Sequence, residues 1–415
     1  MRVLITGINY RPELTAVGPY TAGLAEFLVR RGDQVTVLTG LPHYPEWRIA
    51  RGASRALWSR DRIDGVDVIR VAHYVPATQS ALRRATYEGT FGLTGLLASL
   101  ALPRPDAVLG IVPSLGGGVL ARLAGARFGV PYGVLFQDLM GPAARQSGVP
   151  GGGAVARATT AAEACIIRGA SAVGAVARAF HPYLLEHGAV EARLHHVPNW
   201  SRPMTPDLTV DETRARFGWT DGRTVALHAG NMGFKQGLEQ VVDAARLAAA
   251  QGTPVRFVLS GGGNRVEAVR AAAAGLPNLE ILGVQPDGMH ASLLAAADVL
   301  LLSERATQLD MSLPSKLTSY LAAGRPIVAA VPDGGATGAE VRRARAGLVV
   351  NAGDPEALLE AVGRLRADPA LAARLGAAGV AWAGANTAPA ACLARATRFV
   401  DAIAGGSDAI HEAAA

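Results

Sequence analysis

The sequence predicts an α/β protein made of two doubly wound halves, and three observations predict it. Short apolar runs ending in glycine or a polar loop alternate with helical patterns along nearly the whole chain, the rhythm of buried parallel strands and crossover helices. That rhythm restarts near Thr224, after a segment carrying Pro198, Pro203 and Pro206. The length, 415 residues, is more than one core usually organises.

In the first half, Val3 to Gly7 reads as the opening strand. The loop INYRPELTAVGPY follows, then a helix from Tyr20 to Arg31 stopped by Gly32, then a strand over Val35 to Thr39. A strand–helix–strand order of this kind implies a right-handed crossover. Gly18 could let the backbone approach a ligand at the carboxyl edge of the sheet. No GxGxxG is present, so a dinucleotide fingerprint is not supported. Leu41 to Ala50 is a loop carrying His43, Tyr44 and Trp47, and such loops line sites as readily as they pack. Further strands are expected at Val66 to Val71, Asp106 to Val112, Tyr132 to Phe136, Ala172 to Val176 and Leu194 to Val197. The third of these, Tyr132 to Phe136, delivers Gln137 and Asp138 at its end. A carboxylate there suits acid–base work and equally suits capping a turn. The last strand runs into Asn199.

The second half has strands at Thr224 to His228, Val255 to Leu259, Leu279 to Leu282, Asp298 to Leu302, Ile327 to Val331 and Gly347 to Val350. Three of its strand–helix junctions stand out: Gly230 to Gly237, Gly261 to Gly263, and Pro314-Ser315-Lys316. Parallel order brings them to one sheet edge. Proline suits the first turn of a helix, and glycines there would expose N–H groups to an anion. Lys235 and Lys316 are the only lysines in the chain, and together they would meet a diphosphate. No Walker A string occurs, which removes support for a kinase or ATPase.

Bulk properties narrow the class. Cys165 and Cys392 have no ligand-like spacing, so neither a disulfide framework nor a zinc site is expected, and a reducing cytoplasm fits. The net charge is +6. Residues 1–200 hold 20 Arg and Lys against 13 acids, and residues 201–415 hold 20 against 21. A basic first half could meet an anionic membrane surface. No ladder of arginine and aromatic residues accompanies it, so nucleic acid is not expected as a partner. The chain starts directly in a strand-like run, with no signal peptide expected, and Phe91 to Leu102 is too short to span a bilayer.

The runs GNMGFKQGLEQVVDAA, SGGGN, LPSKLTSYLAAGRPIVAAV and AGLVVNAGDPEALLEAV resemble retaining glycosyltransferases of family 4, which have the GT-B fold of two Rossmann-like domains facing a central cleft. The opening GINYRPELTAVGPYTAGLAEFLVRRGDQVTVLTGLPHYPEW and the later HVPNW are similar to the branch of the colanic-acid enzymes. The resemblance covers roughly residues 1–400. It implies an acceptor domain over 1–203, a nucleotide-sugar domain over 204–385, a last helix over 386–405 returning to the first domain, and a flexible tail over 406–415.

It also implies a UDP- or GDP-sugar donor, retention of configuration, and no metal or other cofactor. Lys235, Pro314, Ser315 and Lys316 would hold the diphosphate, with Gly18 beneath it. Asn231, Gly233, Gly261, Gly262, Gly283 and Val284 would flank the nucleotide. Asp138 and Gln137 would face the reacting sugar and acceptor, and His43, Tyr44, Trp47 and Asn199 would line the acceptor side.

The chain departs from the family pattern in three places. The usual glutamate pair falls on Met311 and Ser319, where Asp310 or Ser312 would compensate. An arginine before the diphosphate lysine is missing, and Arg305 is its substitute. Gln137 stands where a histidine is common. The acceptor is either a lipid-linked glycan, with peripheral membrane contact, or a small metabolite such as a thiol or aminocyclitol. A sugar-nucleotide epimerase and a silent nucleotide-sugar binder share the same fold and stay open.

Overall fold

The computed structural model describes residues 1–405 except 14–16, 55, 79, 147–151, 202–203 and 308–313. The chain divides into two compact units. Unit 1 holds Met1–Asn199 with the last helix, and unit 2 holds Trp200–Pro389.

Unit 1 is an eight-stranded sheet. Its strands are β1 (Arg2–Thr6), β2 (Gln34–Gly40), β3 (Trp58–Ile63), β4 (Val66–Val71), β5 (Ala107–Val112), β6 (Tyr132–Phe136), β7 (Ala172–Ala175) and β8 (Leu194–His196). They lie in the order β3-β4-β2-β1-β5-β6-β7-β8, all parallel except the β3–β4 pair. The strands expected from the sequence are present, and β3 is the addition. It is an edge strand with mostly exposed side chains, joined to β4 through Asp64 and Gly65, both at positive φ. Asp-Gly at such a turn is a strong hairpin signal.

Helices α1 (Gly18–Arg30), α2 (Ala81–Ser99), α3 (Leu115–Phe128), α4 (Met140–Gln146) and α5 (Gly152–Arg168) cross over between these strands. Phe91 to Ser99, read above only as an apolar stretch, is the second half of α2. Among the described residues no helix is long and apolar enough to cross a membrane. The order of strands reverses between β1 and β5, the position where doubly wound sheets open a crevice. There α3 sits tight on the sheet, with Thr6 Oγ1 donating to the Gly117 carbonyl at 2.8 Å.

The final helix, Pro389–Gly405, packs on the same sheet. A Cβ at Gly133 would meet Ile403 at 2.4 Å, and one at Gly174 would meet Phe399 at 2.9 Å. Two side-chain-free strand positions therefore make room for two large apolar side chains, both buried. An Arg31–Asp401 ion pair at 2.8 Å fastens the rim, adding little at so exposed a position.

Unit 2 is a six-stranded parallel sheet of β9 (Thr224–Ala229), β10 (Val255–Ser260), β11 (Leu279–Leu282), β12 (Val299–Ser303), β13 (Ile327–Val331) and β14 (Gly347–Asn351). Its order is β11-β10-β9-β12-β13-β14, so the reversal falls between β9 and β12. Both faces are covered: Val241, Phe257 and Val362 belong to one buried cluster, and Trp219, Leu300 and Tyr320 to the other. Cover on both faces is why the strands read as unbroken apolar runs.

Candidate functional site

At the carboxyl edge of unit 2 the β9 and β10 loops are knitted together. Gly230 N donates to Ser260 O at 2.8 Å, Met232 N to Gly262 O at 2.7 Å, and Gly261 N to Leu282 O at 3.2 Å. A Cβ on Gly261 would lie 1.9 Å from the Gly230 carbonyl oxygen, so only glycine fits. For three of these glycines this differs from the expectation that their N–H groups face an anion. The N–H groups of Gly230 and Gly261 are consumed by backbone, that of Gly233 by Gln236 Oε1 at 3.0 Å, and these three serve close approach.

Lys316 begins the helix Lys316–Ala322 and reaches under this knot. Its Nζ lies 3.0 Å from His228 Nε2, and its stem stands 3.1 Å from where a Gly230 Cβ would be. Burial lowers the Lys316 pKa to about 7, and the nearby Glu304 carboxylate offsets this only in part. His228 is fully buried. Burial, then the Lys316 charge, hold its pKa well below the usual value, so the neutral ring accepts from the ammonium. Glu304 is held by Thr337 Oγ1 at 2.7 Å. Tyr320, one turn along from Lys316, donates its hydroxyl to Ala229 O at 3.1 Å and accepts from Ala229 N at 2.7 Å. The end of β9 is thus pinned to the lysine's own helix.

Lys235 is exposed on the short turn Phe234–Gln236. Arg305 holds that turn: its N–H donates to Lys235 O at 3.0 Å, its Nε donates to Phe234 O at 2.9 Å, and its guanidinium lies 3.7 Å over the Phe234 ring. It also approaches Glu239 at 3.4 Å. These partners tie Arg305 to the turn that carries Lys235. Gln240 clamps the neighbouring strand end, donating to Ser303 Oγ at 2.8 Å and to Glu304 O at 3.0 Å.

Asn231, Gly283 and Val284 are exposed at this edge, and Val284 Cγ2 lies 2.9 Å from a Cβ built on Gly262. Pro314 and Ser315 lead into the Lys316 helix, where Leu317 N already bonds Pro314 O and Thr318 N bonds Ser315 O. Ser319 spends its hydroxyl on Lys316 O at 2.9 Å. Asp310, Met311 and Ser312 lie outside the described residues.

In unit 1, Asn199 Nδ2 donates to Gln137 Oε1 at 2.6 Å, joining the ends of β6 and β8. Gln137 is buried and Asp138 half-buried beside it. The Tyr44 phenol has its pKa raised by burial first and by Asp138 next, which places the 41–50 loop near that carboxylate. Gly18 is buried where α1 begins.

His43 is 2 % exposed. Its Nδ1 lies 2.8 Å from Leu41 O and its Nε2 2.8 Å from Tyr87 Oη. With both nitrogens engaged, the ring supports the loop. Trp47 packs at its side, under the Arg84 guanidinium at 4.9 Å.

Sequence reasoning missed Glu13. This buried carboxylate accepts from His43 N at 2.8 Å, Tyr44 N at 2.9 Å and Asn9 Nδ2 at 2.8 Å. It ties the loop after β1 to the loop after β2, beside a pocket of about 470 Å³ lined by Tyr44, Glu46, Arg48 and Ile49. Glu13→Ala leaves three donors unmet, at about 1–3 kcal/mol for each buried one. Limited proteolysis between Leu41 and Ala50 is expected to speed up in that variant, and an unchanged rate would contradict the clamp.

Among the described residues no three His, Cys, Asp or Glu side chains group so as to hold a metal ion. Both cysteines are free thiols.

Residues 15–200 match the Glycosyl transferase 4-like domain, and residues 223–368 match Glycosyl transferases group 1. The chain is 33% identical over 338 residues to WcaI of Escherichia coli (strain K12), named for colanic acid biosynthesis, spanning 78% of this chain and 82% of that protein. Sucrose-phosphate synthase of Thermosynechococcus elongatus has a TM-score of 0.72 at 17% identity, over 96% of this chain and 98% of that one. Anabaena HepE, solved with UDP-glucose, has a TM-score of 0.68 at 15% identity, over 97% and 99%. The two structural likenesses carry the fold, and the sequence matches carry the family. This chain belongs to the retaining group 1, family 4 glycosyltransferases of the GT-B fold, is similar to the colanic-acid enzyme WcaI, and takes its sugar from a nucleoside diphosphate.

Proposed function

We propose that unit 2 binds a UDP- or GDP-sugar at the carboxyl edge of β9, β10 and β12, and that unit 1 presents the acceptor beside Asp138 and Tyr44. The observation that carries this reading is Lys316, an ammonium held at the β9–β12 reversal with its pKa lowered by burial to about 7. A cation kept poor in solvent gains most when an anion arrives.

The anomeric C–O bond breaks with its electrons passing to the diphosphate, whose new charge falls to Lys316 and to the exposed Lys235. The acceptor's nucleophile bonds to the anomeric carbon on the face the diphosphate leaves, and its proton goes to Asp138 or to the departing phosphate. Two lysines in this role make the reaction independent of a divalent metal. The enzyme then works in the cytoplasm, on a lipid-linked glycan or a small metabolite.

Thermal-shift titration with UDP, GDP, ADP and dTDP tests the donor half. Ligand linkage predicts about 2.7 kcal/mol of stabilisation at a hundredfold excess over Kd, for UDP or GDP above the others. No shift with any of the four would overturn the donor reading. Nucleotide released from the sugar donor without any acceptor would favour epimerase chemistry, and binding without release would favour a silent binder.

A further inference from the structure

The two lysines of unit 2 stand on different supports. Lys316 is seated at the start of a helix, whereas Lys235 is exposed on the three-residue turn Phe234–Gln236. Gly233 and Gly237 flank that turn, the second at φ +51°. The bond that closes it, from Gly237 N to Phe234 O, is 3.4 Å long. Glycine on both sides leaves such a turn free to move, and a lysine stem adds four flexible carbons. An ammonium carried this way is well aimed at an anion only if something else fixes it.

The end of β12 supplies the fixing. Ser303 Oγ donates to Gln236 O at 2.6 Å. Two residues on, Arg305 meets the turn three times: its backbone N–H at Lys235 O, its Nε at Phe234 O, and the guanidinium over the Phe234 ring. The approach is close, since a Cβ on Gly237 would stand 2.9 Å from Arg305 Cγ. Glu239 opens the helix Glu239–Ala250, and it takes Arg305 Nη2 at 3.4 Å and Arg265 Nη2 at 2.7 Å. Arg265 N in turn donates to Met232 O at 3.0 Å. One carboxylate therefore joins the guanidinium behind Lys235 to the loop after β10. The stack also accounts for Phe234, which is 56 % exposed and belongs to neither apolar cluster of unit 2 described above.

We propose that Arg305 is a positioning residue for Lys235: stacked on Phe234 and held by Glu239, it fixes the turn so that the ammonium meets the diphosphate. The proposal rests on the donor reading and adds to it a residue that acts through Lys235.

A double-mutant cycle tests it, with calorimetric affinity for inorganic pyrophosphate, UDP and GDP as the readout. Arg305→Lys keeps the charge but loses the planar stack and the Nε donor, and Phe234→Ala loses the ring. Each is expected to weaken binding about tenfold, the order of one charge-assisted contact, and Lys235→Ala to weaken it at least as much. In the Lys235→Ala background neither change has a further effect, because each acts only through that ammonium. Phe234→Tyr keeps a ring under the guanidinium and binds like the parent. So does Arg270→Lys, at an exposed position on the helix Val266–Ala272.

Additive losses, with Arg305→Lys weakening binding as much without Lys235 as with it, would overturn the proposal and make Arg305 a phosphate ligand in its own right. So would parent-like binding in Arg305→Lys or in Lys235→Ala. Nucleotide binding by the parent protein is read first. Its absence fails the donor reading, and the proposal with it; its presence beside additive losses leaves the donor reading standing and removes only the positioning role.

Discussion

Lys316→Ala is expected to lower turnover a hundredfold or more while leaving the protein at least as heat-stable as the parent. Loss of one well-aimed donor to a developing anion costs about 10²–10³ in rate. The stability half follows from the environment of the ammonium. Burial holds the folded-state pKa near 7 against an ordinary 10.5. Between those two values the unfolded chain binds more protons, so stability rises with pH across that window and falls as pH drops toward 7.

The groups facing Lys316 are neutral His228, Glu304, and His290, whose own pKa is lowered by burial. None offsets the desolvation in full. Removing the ammonium removes that penalty, so a variant that is inactive because it is misfolded would show a lower melting temperature instead. Lys316→Arg is expected to fail as well, since the lysine stem already stands 3.1 Å from the Gly230 Cβ position and a guanidinium needs more room. Single-turnover rates beside thermal melts check both halves.

Gly261→Ala is expected to abolish nucleotide binding and to destabilise unit 2 by about 3 kcal/mol or more, the sum of a strained backbone and an overpacked contact. Its φ is +142°, and its new methyl would have to displace the Gly230 carbonyl 1.9 Å away. That carbonyl belongs to the loop roofing Lys316, so the displacement reaches the ammonium. Gly283→Ala is the control: nothing lies within 4 Å of a Cβ there, and it should melt like the parent. Equal melting and equal nucleotide affinity in both variants would contradict the knotted loops.

The strands were readable because cover on both faces writes them as apolar runs such as Ile327–Val331, and the glycine junctions were readable because close backbone approach admits no side chain. What glycine does at those junctions was not readable. A sequence shows that Gly261 lacks a Cβ but not that its N–H is bonded to Leu282 O. The edge strand β3 escaped because WSRDRI has no buried face to impose alternation, although Asp64-Gly65 carried the hairpin signal. Helix α2 escaped for the opposite reason, since Leu82, Leu93 and Leu97 are exposed on it.

Glu13 and His228 act through partners that fold brings near: His43 lies 30 residues from Glu13, and Lys316 lies 88 from His228. No spacing rule connects such pairs. By contrast Gln137 and Asn199 were each picked out at the end of a strand, and only the folded structure shows that they bond to one another across the end of β7.

Titration of the nucleoside diphosphate at pH 8, in buffers of different ionisation enthalpy, measures the protons taken up on binding. With Lys316 near pKa 7 when unliganded and fully charged against a diphosphate, uptake should approach one proton per nucleotide in the parent protein and vanish in Lys316→Ala. No proton uptake in the parent, or the same uptake in both proteins, would contradict the assignment of Lys316 as the counter-charge of the leaving group.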